Sequence, residues 1–173
     1  PQTIQSKIVA PPTPMQMYVD PDRISQALIN MVHNTKDAMP EGGTLTIRAA
    51  PFNLPADRTP PAPDMEPGYW IELSITDEGE GIAPEDLPHI FEPFFTTHAP
   101  LRSGLGLSQV YGIVKQHDGH IAVDTEKGMG STFRVYLPAS KPPPTRGKTD
   151  HEQRLTLVIE EHNLVREALA ATL

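Results

Sequence analysis

The stretch W-I-E-L-S-I-T-D-E-G-E-G, residues 70–81, starts as a strand and breaks into a glycine-punctuated loop. Ile71, Leu73 and Ile75 alternate with Glu72, Ser74 and Thr76. That is the two-residue period of a strand with one face in a core. Counting on, Asp77 falls on the apolar face. A carboxylate there is costly unless something donates a hydrogen bond to it. Gly79 and Gly81 follow at once, residues that let a main chain bend sharply or pass close to a ligand. The central question is what donor Asp77 awaits.

Working outward, residues 44–50 alternate in the same way with Leu45, Ile47 and Ala49 inward, and read as a neighbouring antiparallel strand. The proline-rich run 51–68 between them reads as a surface loop. Before these, Asp20-Pro21-Asp22 is a strong helix start, with Asp20 as N-cap and Pro21 in the first turn. The helix should run to about Met39, where Pro40-Glu41-Gly42-Gly43 stops it. Ile24, Ala27, Leu28, Met31, Val32, Ala38 and Met39 form its apolar stripe. Asn30 and Asn34 lie four apart along one edge of the stripe, and Asp37 continues the row. Asparagine is a weak helix former. Two of them there are either surface polarity or amide oxygens facing a metal or phosphate. Residues 15–19 read as a short edge strand and residues 1–14 as an extended lead-in.

Downstream, residues 84–90 suggest a short helix, and residues 91–95 an aromatic knot in which Phe91 is a core residue. Residues 96–103 are polar. Gly104-Leu105-Gly106-Leu107 then opens a helix with Leu107, Val110, Ile113 and Val114 on one face, ending near Asp118-Gly119. Strands at 121–125 and 131–137, the second with Phe133, Val135 and Leu137 inward, are joined by a glycine-rich hairpin turn at 126–130. Residues 139–152 are a proline-rich, semi-stiff linker. Beyond it, residues 153–173 contain a buried-type strand, Glu160-Glu161 and the start of an amphipathic helix, the opening of a second domain.

Composition narrows the classes. The chain has 173 residues, no cysteine and a formal charge of −8. Disulfides and cysteine-ligated zinc are excluded. The acidic balance argues against a nucleic-acid surface, though not against a small anion held by local amides. No apolar run reaches the roughly 18 residues of a membrane span. The ends of the chain read as those of a piece of a longer protein.

Each glycine motif alone is weak; their order carries weight. An asparagine helix (Asn30, Asn34), D-x-G-x-G (Asp77, Gly79, Gly81), phenylalanines with threonines (Phe94, Phe95, Thr96, Thr97) and G-L-G-L (residues 104–107) resemble the N, G1, F and G2 boxes of sensor histidine kinases. The ending G-M-G-S-T-F-R-V-Y-L-P, residues 128–138, is similar to that family's final strand. The resemblance covers residues 15–138, and N-T-K-D-A-M-P-E-G-G is most similar to nitrogen-sensor-type and hybrid kinases.

The resemblance implies an α/β fold of the Bergerat type: a mixed, mostly antiparallel sheet with helices on one face and ATP between the layers. It implies that Asp77 accepts from the adenine amino group, with Thr132 at the same edge. Asn34 would ligate Mg²⁺, Asn30 would stand on the phosphate side, and Asp37 would lie beside them. Gly79, Gly81, Gly104, Leu105, Gly106 and Leu107 would shape the loops around the nucleotide. Residues 96–103 would be the lid, where Phe95, Thr96, Thr97 and Arg102 border the nucleotide. Related ATPases carry a glutamate base where Asn30 stands; an amide there fits a kinase better than a hydrolase.

The lid departs from the family pattern, with His98 in place of a lysine and no extra glycine, and Thr35 follows Asn34 where alanine is usual. None of the seven histidines has an H-E-x-x-x-P context. The phosphoacceptor histidine is therefore expected on a dimerisation domain upstream or in trans, in a homodimeric, cytoplasmic kinase. The tail resembles the first strand and helix of a response-regulator receiver, which implies Glu160 and Glu161 as a second Mg²⁺ site. The alternatives are an ATP-binding pseudokinase module and a stand-alone ATPase.

Overall fold

Asp20 begins the first helix as expected. Its Oδ1 accepts from the amides of Asp22 (3.0 Å) and Arg23 (3.2 Å), which would otherwise lack helical partners. Helix α1 is Pro21–Ala38. Its buried stripe is Ile24, Ala27, Leu28, Met31, Val32 and Thr35, so one threonine stands among the apolar residues. The computed structural model describes residues 4–11, 15–97, 103–139 and 156–158. Besides α1 these contain strands β1 (Ile4–Val9), β2 (Gln16–Tyr18), β3 (Gly43–Leu54) and β4 (Gly68–Asp77), helix α2 (Gly106–Gln116), and strands β5 (His120–Glu126), β6 (Gly130–Pro138) and β7 (Thr156–Val158).

The main sheet has the order β1-β3-β4-β6-β5. β1 runs parallel to β3, and the other neighbours are antiparallel. The two helices pack on each other and on one face of this sheet. Between the layers lie Ile24, Met31 and Val32 of α1, Val110 and Val114 of α2, and Leu45, Ile47, Leu73, Ile75, Phe133 and Val135 of the sheet. The α/β fold with a mixed sheet and helices on one face is the expected one. His117 joins the helices at one end: its Nε2 accepts from the Asp20 amide (3.0 Å) and its Nδ1 donates to the Ile113 carbonyl (2.8 Å).

Several elements differ from expectation. Residues 4–9 are extended, but as a sheet strand: β1 pairs with β3 from Ile4↔Gly43 to Val9↔Arg48. β3 runs on to Leu54, through Pro51. Its pairing with β1 ends at Arg48, so Pro51 stands where β3 borders only β4, the edge position a strand proline tolerates. The loop that follows is not wholly on the surface. Ala62 and Met65 are buried, and Leu54, Met65 and Tyr136 form a second small core on the other face of the sheet. Residues 84–91 are successive turns rather than a helix. Pro84, Pro88 and Pro93 lack the N–H groups a helix would use. β7 pairs antiparallel with β2, Gln16 opposite Val158. The linker expected at 139–152 (beyond Ala139), the Glu160-Glu161 pair and the helix expected after it lie outside the described residues.

Candidate nucleotide-binding site

Between α1, the loop after β4 and the start of α2 lies a cavity of about 510 Å³. Its walls bring together Asn30, Asn34 and Asp37 of α1, Gly81 of the glycine loop, Phe95, Thr96 and Thr97, and Gly104, Leu105, Gly106 and Leu107. These come from four separate stretches of sequence. Asp77 and Gly79 are not on that lining. They sit behind it, beneath a loop held by the Glu80 amide, which donates to the Ala38 carbonyl (2.9 Å). Arg102 lies outside the described residues.

Asp77 is on the apolar face of β4, only 3% exposed. Its Oδ1 accepts from the amides of Gly79 (2.9 Å) and Ser131 (3.1 Å). Oδ2 is sealed from solvent with no partner. Burial pushes the carboxyl's pKa above its ordinary 3.8, while the two amides and the nearby Thr35 hydroxyl pull it back. The hydroxyl's dipole favours the anion, yet the pair falls short of hydrogen-bond geometry: Thr35 Oγ1 is also buried without a partner. Gly79 has to be glycine for space. A Cβ there would press into the Ala38 carbonyl and stand 2.9 Å from Asp77 Oδ1.

Thr132 is not at this edge. It pairs with Thr76 across β4 and β6, and the two hydroxyls lie 3.0 Å apart. Asp77 pairs instead with Ser131. The expectation for Thr132 is corrected by one residue: counting back by two from inward Phe133 lands on Ser131, whose hydroxyl lies 2.9 Å from that of Thr125.

The opposite end of the cavity is built differently. Asn30 is half-buried, and both ends of its amide are engaged. Oδ1 accepts from Gln26 Nε2 (3.0 Å), and Nδ2 donates to Gln109 Oε1 (3.0 Å) and approaches the Gly106 carbonyl (3.5 Å). Asn30 thus ties α1 to the first turn of α2. That turn has no side-chain cap: Leu105 is the N-cap residue, and the Ser108 hydroxyl donates back to its carbonyl (3.0 Å). Amides at an uncapped helix start suit an anion. The segment before it bends at Gly104, whose φ is +68° and whose carbonyl accepts from the Phe94 amide (3.0 Å). Phe94 is itself left-handed, φ +69°, with 74% of its surface exposed.

Gln109, Lys127 and Glu80 also line the cavity. Sequence reasoning missed all three. Lys127 is there because the β5–β6 turn closes on the glycine loop, the Gly128 amide donating to the Glu80 carbonyl (2.7 Å). Gln109 could have been found by asking which residue, one turn into α2, faces the Asn30 edge of α1.

Residues 19–141 match the family model described as histidine kinase-, DNA gyrase B-, and HSP90-like ATPase. The chain belongs to this family. Among members of this ATPase family, it is 37% identical over 137 residues to the sensor histidine kinase ZraS of Escherichia coli strain K12, covering 79% of this chain and 26% of that protein. It is 42% identical over 122 residues to the sensor kinase CckA of Brucella abortus, covering 69% of this chain and 13% of CckA. The chain thus spans about a quarter or less of these relatives' lengths. Among solved structures, the mycobacterial sensor histidine kinase MprB superposes with a TM-score of 0.60 at 28% identity, over 79% of this chain and 82% of that one. Full-length ShkA in complex with AMPPNP gives 0.62 at 25% identity, over 80% of this chain and 26% of ShkA. Among the described residues, no helix is long and apolar enough to cross a membrane.

Proposed function

We propose that this chain is the ATP-binding catalytic part of a sensor histidine kinase of hybrid type. It binds Mg-ATP and passes the γ-phosphoryl group to a histidine on a separate dimerisation domain. The observation that carries this reading is the pairing of two unlike ends in one site. A buried carboxylate oxygen without a donor lies behind one wall, and uncapped helix amides stand at another. An adenine nucleotide offers an exocyclic amine for the first and phosphates for the second. The kinship with sensor kinases, and the AMPPNP bound by ShkA, support the same assignment.

Phosphoryl transfer asks a protein mainly for positioning and charge neutralisation. Asp77 fixes the base, and the first turn of α2 receives phosphate oxygens. Asn30 holds that turn against α1, and Phe95, Thr96 and Thr97 border the nucleotide. The donor set fits Mg²⁺. Among the described residues no cluster of three His, Cys, Asp or Glu could cage a metal. Asn34 and Asp37 on the cavity wall suit an ion that takes few protein ligands and shares the phosphates. Asn34 would hold it, since the Asn30 oxygen already accepts from Gln26. Bound there, the ion would neutralise phosphate charge.

The remaining parts of the reading are a homodimeric, cytoplasmic full-length kinase and a receiver after the linker, with Glu160 and Glu161 at its Mg²⁺ site. A trans-phosphorylation assay with labelled ATP and a cognate dimerisation domain tests the transfer. Labelled histidine is expected; nucleotide binding without transfer would favour the pseudokinase. A stand-alone ATPase is disfavoured by Asn30, because an amide cannot take a proton from water. Asn30→Glu should raise ATP hydrolysis or abolish activity, and unchanged transfer would sink the role given to Asn30.

A further inference from the structure

Thr35 occupies a core position of α1 and is wholly buried. A threonine inside a helix usually bonds back to a carbonyl one turn earlier. Its Oγ1 here makes no hydrogen bond, and neither does Asp77 Oδ2. These are the unpartnered buried side-chain polar atoms among the described residues. The threonine lies near enough to the carboxyl to favour its ionised form. Neither residue lines the cavity itself, but Asn34 and Ala38 on α1 and Gly81 after β4, their neighbours along the chain, do. Buried polar groups are normally satisfied, so two orphans side by side next to a cavity point to a ligand that satisfies both.

We propose that Thr35 is a base-specificity residue: its hydroxyl donates to the ring nitrogen beside the amine that Asp77 Oδ2 accepts from. This rests on the adenine-nucleotide reading of the cavity. An acceptor next to a donor complements the edge of a 6-aminopurine, which offers N6–H beside the lone pair of N1. A 6-oxopurine presents the reverse, a carbonyl facing the carboxylate and an N1–H. Alanine, small and apolar, could supply only half of this reading. Thr35 adds a second polar contact and with it sharper rejection of oxopurines.

The test is a ligand-by-mutant cycle on the chain as it stands, measured by calorimetry with ADP and with 1-deaza-ADP, in which C–H replaces N1. Wild type should prefer ADP by about tenfold, the worth of one buried hydrogen bond. Thr35→Val keeps the shape and removes the hydroxyl. It should bring ADP down to the affinity of 1-deaza-ADP and leave the latter unchanged. Thr35→Ser, which keeps the hydroxyl, should retain the preference and serves if the valine variant folds poorly. Equal weakening of both ligands by Thr35→Val would overturn the proposal, making Thr35 a support for Asp77 only. Indifference of the wild type to N1 would also overturn it, while leaving the adenine reading intact. Binding of neither ligand by wild type would remove the adenine reading itself, and the proposal with it.

Discussion

The two ends of the cavity are built on opposite principles. At the Asp77 end the polar side chains are buried: a carboxylate on a central strand and a threonine in the helix core, beside a glycine with no room for a Cβ. Two polar atoms there are left without partners. At the Asn30 end the side chains are half-exposed or exposed, and the amides of Asn30, Gln26 and Gln109 bond one another. A buried orphan polar atom holds binding energy in reserve for a ligand, because the ligand's hydrogen bond relieves a cost already present in the free protein. Amides that bond one another hold no such reserve, but they fix geometry. The first end should therefore set affinity, and the second the rate of whatever the bound nucleotide does.

The largest effect should come from Gly79→Ala. A methyl there meets backbone on the α1 side and the Asp77 carboxylate on the other. The Ala38 carbonyl cannot retreat without losing its bond from the Glu80 amide, nor the carboxylate without losing the Gly79 and Ser131 amides. A loss of ~3 kcal/mol of stability is expected, together with nucleotide binding, read from urea unfolding and calorimetry. A variant of near-normal stability would show that the buried end is not rigid.

Asp77→Asn comes next and separates affinity from stability. Adenine-nucleotide affinity should fall by about 1–3 kcal/mol, the cost of mismatching a buried hydrogen bond. The free protein should melt higher, because a neutral amide avoids the burial that pushes the carboxyl's pKa up. The pH dependence follows with the same sign. The folded pKa lies above 3.8, so the folded state takes up a proton before the unfolded chain does. As pH falls through the folded pKa toward 3.8, this group's destabilising contribution should disappear while nucleotide affinity drops. Asp77→Asn should flatten both trends; pH profiles of Tm and Kd that are unchanged in the variant would rule Asp77 out as the source.

The buried end was the more legible of the two in sequence, and for a physical reason. Strand alternation is a strict period, so Ile71, Leu73 and Ile75 dictate where Asp77 points, and Phe133 dictates the same for Ser131. Thr132 went astray only where resemblance was followed in place of that count. The Asp20 cap and the apolar stripe of α1 were equally plain, since capping and helical spacing are local. What sequence hid depends on contacts distant along the chain. β1 is a strand because β3 offers it an edge, and Gln109 matters because α2 packs on α1. The prolines at 84, 88 and 93 mark turns more directly than any helical period.

Gln109→Leu tests the exposed end and should have the smallest effect on binding. Leucine fits a helix surface and keeps most of the volume. It removes the acceptor of the Asn30 amide, so the link between α1 and the first turn of α2 is lost. ADP affinity should stay within about threefold, since Asp77 and the α2 amides remain and an exposed hydrogen bond is worth about 1 kcal/mol or less. Transfer to a dimerisation domain should slow by about tenfold, because small misplacements of a reacting group are costly in rate. The fall should appear in kcat with KM for ATP little changed, and Gln109→Glu, which keeps an acceptor for Asn30, should restore most of it. A Gln109→Leu protein that loses affinity as steeply as Asp77→Asn would break the division between the two ends. It would mean that the amides of Asn30 and Gln109 hold the nucleotide itself, not only its setting.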